Sequence, residues 1–197
     1  MIGRTPLVRF AGRFCFVLGF LVFAYVAGSV AYADAYQRYQ SWRFDRSINA
    51  LSPAELEVFV AEPPALNDGD LIGRLSIPRM GISVMVFHGV EEDTLGIGAG
   101  HVPGTPLPGA EGNSAIAAHR DTFFRTLEGI RSGDLIQFST VRGIYNYVVN
   151  ATETVAPEDT WVMESRGRQE LTLITCYPFH FLGSAPKRFI VHAKPTE

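Results

Sequence analysis

The stretch Leu171-Thr172-Leu173-Ile174-Thr175-Cys176-Tyr177-Pro178 is a run of apolar and β-branched residues closed by a cysteine, a ring and a proline. Such side chains suit a pleated, half-buried surface, so residues 170–175 read as a strand with Cys176 at its end. A second run, residues 188–194, reads as the next strand, and a loop rich in Pro, Gly and aromatic residues joins the two. If they pair antiparallel, the end of the first lies beside the start of the second, and Cys176 becomes a neighbour of Arg188.

Working outward from that pair, residues 71–77 and 82–87 read as strands separated by Pro78-Arg79-Met80-Gly81, consistent with a hairpin. Residues 91–95 suit one helical turn, and 96–112 are too rich in Gly and Pro for regular structure, so they read as a loop. A short apolar strand over 113–118 ends at His119. Asp121 then suits a helix cap over 122–128, with Phe123, Phe124 and Leu127 on one face. Strands over 135–139 and 143–154 and a long connection over 156–168 bring the count to seven or eight. That spacing predicts a small barrel or sandwich.

The N-terminal third is different in kind. Residues 14–33 carry no charge, and twenty residues at about 1.5 Å each cross roughly 30 Å of hydrocarbon. Arg4, Arg9 and Arg13 precede the stretch and favour a cytoplasmic N-terminus, against a weaker opposing bias from Arg38, Arg43 and Arg46. Ala31-Tyr32-Ala33 resembles a signal-peptidase site, but the apolar stretch exceeds the usual signal core, which favours an uncleaved anchor. The expected organisation is therefore a tail and transmembrane anchor over 1–33, a juxtamembrane stalk over 34–67, and a β-rich domain over 68–197. Within the stalk, Ser52-Pro53-Ala54-Glu55 carries a helix-start signature.

Composition narrows the function. The chain has 197 residues, enough for one ordinary domain beyond an anchor. Its formal charge is −3, with no basic stripe to neutralise a phosphate backbone, so no nucleic-acid partner is expected. Of its two cysteines, Cys15 lies in the apolar segment, where packing in lipid is its plain role. Cys176 then has no intramolecular partner outside the membrane, where thiols tend to pair, and chemistry is the better reason for it.

A fixed guanidinium beside a sulfur favours the thiolate and offers donors to a developing oxyanion. The imidazole of His119 can pass a proton to a leaving amine and accept one from an incoming amine. Cys176, His119 and Arg188 thus make an acyl-transfer set, with their proximity inferred from strand order.

Residues 98–124, GAGHVPGTPLPGAEGNSAIAAHRDTFF, together with LTLITCYP at 171–178 and APKRFIV at 185–191, resemble the sortase family. The Thr-Leu-x-Thr-Cys run is that family's nucleophile motif, and the HVPGT and AHRDTFF segments are most similar to class D sortases. The resemblance implies a closed eight-stranded β-barrel. It also implies a membrane-anchored cysteine transpeptidase outside the cytoplasm, with Cys176 as nucleophile, His119 as acid and base, and Arg188 as oxyanion and substrate donor. Thr175 would line the same cleft. The expected substrates are secreted proteins with a C-terminal sorting signal of the LPxTG type, and the expected acceptor is an amine of a cell-wall precursor or a pilin lysine. There is no Asp-Pro-aromatic lid motif of the class C kind, and no acidic cluster in 156–168 that argues for calcium. Neither a cofactor nor a metal is expected.

Plainer readings stand beside these. His101 either contacts substrate or packs its loop. His180, four residues past Cys176, competes as the base, whereas His88, His180 and His192 lack the dense spacing of a metal site. Asp121 caps a helix or orients His119, and Trp161 covers the cleft or packs on the barrel. A membrane-tethered barrel that binds peptides or envelope polymers without catalysis is the alternative function, and a hydrolase differs from a transpeptidase only in the fate of the acyl group.

Overall fold

Alternation of apolar residues along eight short segments closes the sheet of this protein. The computed structural model describes residues 6–50 and 66–196. Its strands are β1 (Leu71–Ile77), β2 (Ile82–His88), β3 (Ala99–His101), β4 (Asn113–Ala117), β5 (Leu135–Thr140), β6 (Gly143–Val155), β7 (Glu170–Tyr177) and β8 (Lys187–Pro195). They form a closed barrel in the order β1-β2-β3-β4-β7-β8-β6-β5. The β2–β3 and β4–β7 pairs are parallel and the rest antiparallel.

Inward positions follow the two-residue period of a strand. Leu75 and Ile77, Val84 and Val86, Ile136 and Phe138, Tyr147 and Val149, and Leu171 and Leu173 are all buried in one core. Each such side chain is worth roughly 1.5–3 kcal/mol on burial. A smaller cluster of Val155, Val162 and Ile190, with Met163 and Ile174 against it, covers part of the outer face of β7 and β8.

Two local expectations are revised. Within 96–112, read as a loop, residues 99–101 form β3. A Cβ on Gly100 would stand 2.2 Å from the Gly89 carbonyl oxygen, so glycine serves close backbone approach there rather than a turn. Over 122–128 the chain makes turns and a 3-10 segment, Arg125–Gly129, instead of an α-helix. No side-chain cap begins it, and Asp121 is exposed; the apolar face is nonetheless used, since Phe124 and Leu127 are fully buried.

The expected helical turn after β2 is α2, Glu92–Ile97, with α1 being the long N-terminal helix Pro6–Ala50. No Gly or Pro interrupts residues 34–50, the last part of α1. Among the described residues α1 is the one helix long and apolar enough to cross a membrane. The helix expected to start at Ser52 lies outside the described residues. The chain divides into two compact units, Met1–Tyr36 and Gln37–Glu197. In the first, Phe14, Phe16, Phe20 and Phe23 all stand exposed on the helix surface, as lipid-facing side chains would. In the second, the end of α1 packs on the barrel. Gln37 Oε1 accepts the Met85 amide at 2.8 Å, Arg74 reaches Asp45 at 2.7 Å and Ser41 Oγ at 2.8 Å, and Phe44 is buried.

Candidate active site

β7 and β8 pair antiparallel with Cys176 directly opposite Arg188. Leu171 and Leu173 of β7 point into the core, and so do Val191 and Ala193 of β8. The alternate positions Ile174 and Ile190 pack in the outer cluster. Cys176 and Arg188 share that outer face by the same alternation. The thiol is partly exposed, as a nucleophile must be.

His119 arrives on the parallel neighbour of β7. Ala117 of β4 pairs with Ile174, and the next residue, Ala118, donates its amide to the Ile174 carbonyl at 3.1 Å. Ile116 and Ala118 belong to the core. His119 is the next residue, two positions beyond the end of β4, with its side chain 31% exposed. The imidazole Nε2 lies 3.8 Å from Glu92 Oε1, a solvated carboxylate at the start of α2. Tertiary pairing thus brings Cys176 of β7 opposite Arg188 of β8 and sets the segment after β4, which carries His119, beside the same end of β7.

Arg188 Nη1 donates to the carbonyls of Ala185 at 3.4 Å and Lys187 at 3.1 Å. Among the described residues no carboxylate pairs with it, so the rest of its fork is available to a ligand oxygen. The 3-10 segment Thr160–Met163 flanks the same face, where Val162 and Met163 pack in the outer cluster and Trp161 stands half exposed.

Thr175 and His101, expected at the substrate, are both buried. The Thr175 side chain is buried and donates to the Ala118 carbonyl at 2.7 Å, behind the outer face that carries the thiol. Strand alternation explains this, because a neighbour of an outward residue points inward. His101 is buried as well. Its Nε2 lies 3.0 Å from the Pro106 carbonyl and 3.1 Å from Thr105 Oγ1, and its Nδ1 is 3.3 Å from Nδ1 of His88. Burial, with the nearby His88, pushes its pKa down. These contacts tie it to the loop that follows β3. His180 is exposed and lies 3.0 Å from Glu128 Oε2, which ties its loop to the 3-10 segment rather than to the thiol.

Sequence reasoning passed over Arg120, whose guanidinium holds three carbonyls of the β7–β8 loop. Its position beside His119 was the only signal available.

Residues 75–196 match the family model of the sortase domain. The chain belongs to the sortase family. Among relatives of this sortase, Sortase D of Bacillus subtilis is 33% identical over 127 residues, which cover 64% of this chain and 64% of that protein. The chain therefore spans less than two thirds of that relative's length. A Clostridium perfringens sortase D5 transpeptidase superposes with a TM-score of 0.72 at 26% identity, over 83% of this chain and 99% of that one. Clostridium perfringens sortase C, solved with the C-terminal cell wall sorting motif, shares the fold with a TM-score of 0.70 at 23% identity, over 79% and 96% of the two chains. The closed barrel of this sortase is thus the family's own fold, and both class D and class C structures share it.

Proposed function

We propose that this sortase is a membrane-anchored cysteine transpeptidase that cuts a C-terminal sorting signal of the LPxTG type and passes the acyl group to an amine. The observation that carries the reading is the pairing of Cys176 with Arg188, with His119 two residues past the strand that pairs with β7 on its other side.

In the first half-reaction the Cys176 sulfur attacks the threonine carbonyl, and negative charge grows on that oxygen. Arg188 donates hydrogen bonds to it from a fixed fork. The C–N bond then breaks as His119 gives its proton to the leaving amine, leaving a thioester on Cys176. In the second half-reaction an incoming amine loses a proton to His119 and attacks the thioester. A new amide forms, and the C–S bond breaks to return the thiolate. The amine would come from a cell-wall precursor or a pilin lysine. Water in its place gives hydrolysis.

The apolar part of α1, preceded by Arg4, Arg9 and Arg13, supports a single crossing with the N-terminus inside and the barrel outside the cytoplasm.

A fluorogenic sorting-signal peptide, incubated with the protein and an added amine, tests the chemistry. Wild type should cleave it, form a thioester detectable by mass, and ligate the amine. Cys176→Ala should drop to the uncatalysed background with no adduct. Turnover retained by that variant rules out the thiol mechanism, and cleavage without ligated amine makes the protein a hydrolase.

A further inference from the structure

Arg120 follows His119 directly and sits in a turn after β4. Its guanidinium crosses to the loop between β7 and β8. Nη1 donates to the Pro178 carbonyl at 3.1 Å, and Nη2 to the carbonyls of Phe181 at 2.8 Å and Gly183 at 2.9 Å. Its Cζ also lies 5.9 Å from the centre of the Phe181 ring, within cation–π range.

The same loop begins after Cys176 and Tyr177 and ends at Lys187 and Arg188. Its start is held by packing: Phe179 is buried, and its ring meets those of Tyr177 and Phe189 edge-on. Its tip has little apolar hold, since Leu182 is 97% exposed and Phe181 43%. What fixes the tip is the set of carbonyl bonds to Arg120, with a weaker tie from His180 to Glu128. The far end in turn supplies the carbonyls of Ala185 and Lys187 that orient Arg188. Arg120 thus holds carbonyls at 178, 181 and 183 of the segment whose next carbonyls, at 185 and 187, hold Arg188, and the backbone between Gly183 and Ala185 joins the two sets.

We propose that Arg120 is a positioning residue for the acyl transfer, holding the β7–β8 loop so that the Arg188 guanidinium keeps its place beside Cys176. The inference rests on the functional reading above and adds a residue to it. All the hydrogen bonds of Arg120 go to carbonyl oxygens, so its role is geometric and needs a planar fork rather than a charge. Lysine, with one point of attachment, cannot hold the three carbonyls together.

The test is a double-mutant cycle on the full chain in the peptide assay, with Arg120→Ala, Arg120→Lys, Arg188→Ala and the Arg120/Arg188 double variant. Arg120→Ala should lower kcat by about 10- to 100-fold, the scale of a misplaced catalytic group, with KM far less affected. Arg120→Lys should give no rescue. The double variant should be about as active as Arg188→Ala alone, because with the Arg188 guanidinium gone Arg120 has nothing left to place.

Amide hydrogen exchange of residues 179–184 should quicken in both Arg120 variants. If Arg120→Ala fails to fold, Arg120→Lys carries the same comparison, since it keeps the stem and the charge. The inference is overturned if either Arg120 variant stays within about twofold of wild type, or if the two single losses simply multiply in the double variant. A wild type inert toward every sorting peptide sinks the functional reading and this inference together. An active wild type indifferent to Arg120 sinks the inference alone.

Discussion

Thr175 stands next to the proposed nucleophile in sequence and on the opposite side of the sheet in space. Its hydroxyl is the donor that fastens β7 to the Ala118 carbonyl, one residue before His119. Thr175→Val keeps the shape and removes the donor in a buried place. It should cost about 1–2 kcal/mol in urea unfolding, while Thr175→Ser should restore most of the loss. In the peptide assay Thr175→Val should leave KM near wild type and lower kcat, because the change acts through His119. A raised KM with unchanged stability would return Thr175 to the substrate cleft. Arg188 shows the converse lesson at this scale: being opposite the thiol was readable from strand order, but the carbonyls that hold its fork were not.

Among the elements, the connections at one end of the barrel are gathered on Asp134. Arg79, in the 3-10 turn Pro78–Met80 between β1 and β2, grips both carboxylate oxygens of Asp134 and also donates to the Gly129 carbonyl at 2.8 Å. The Arg131 amide adds a bond to the same carboxylate at 2.7 Å. Asp134 is buried, and the Arg79 hydrogen bonds hold its pKa below the ordinary carboxylate range. A depressed folded-state value means that the ionised carboxylate stabilises the fold above the unfolded value of about 3.9, and that this contribution is lost as pH falls through the folded value. Asp134→Asn should therefore melt a few degrees below wild type at neutral pH. The gap should close as pH drops below about 4, read from melting curves across pH. A gap constant with pH would show that packing rather than charge is at stake. β3 belongs to this scale too. Its glycine looked like loop chemistry, and only the neighbouring Gly89 backbone explains it.

For the whole molecule, the proposed function assigns anchorage to the apolar helix and chemistry to the barrel. In intact cells a membrane-impermeant maleimide should label Cys176 and leave Cys15 unmarked, and Cys176→Ala should abolish the signal. The protein should stay with the membrane fraction after an alkaline carbonate wash. Labelling that requires lysis would place the barrel inside and end the proposed topology. The sequence alone determined the strand-rich domain, the apolar segment and the candidate trio, because each is written in local terms: a two-residue alternation, an uncharged run, and reactive residue types at strand ends. Tertiary structure decided which strands lie side by side. The parallel β4–β7 pairing joins residues more than fifty positions apart, and no local period encodes such a partner. It also decided which side chains face out at the strand ends, turning Thr175 and His101 inward and bringing Arg120 to the loop. Closing a barrel sets register for all its strands at once, and that is a property of the assembled sheet.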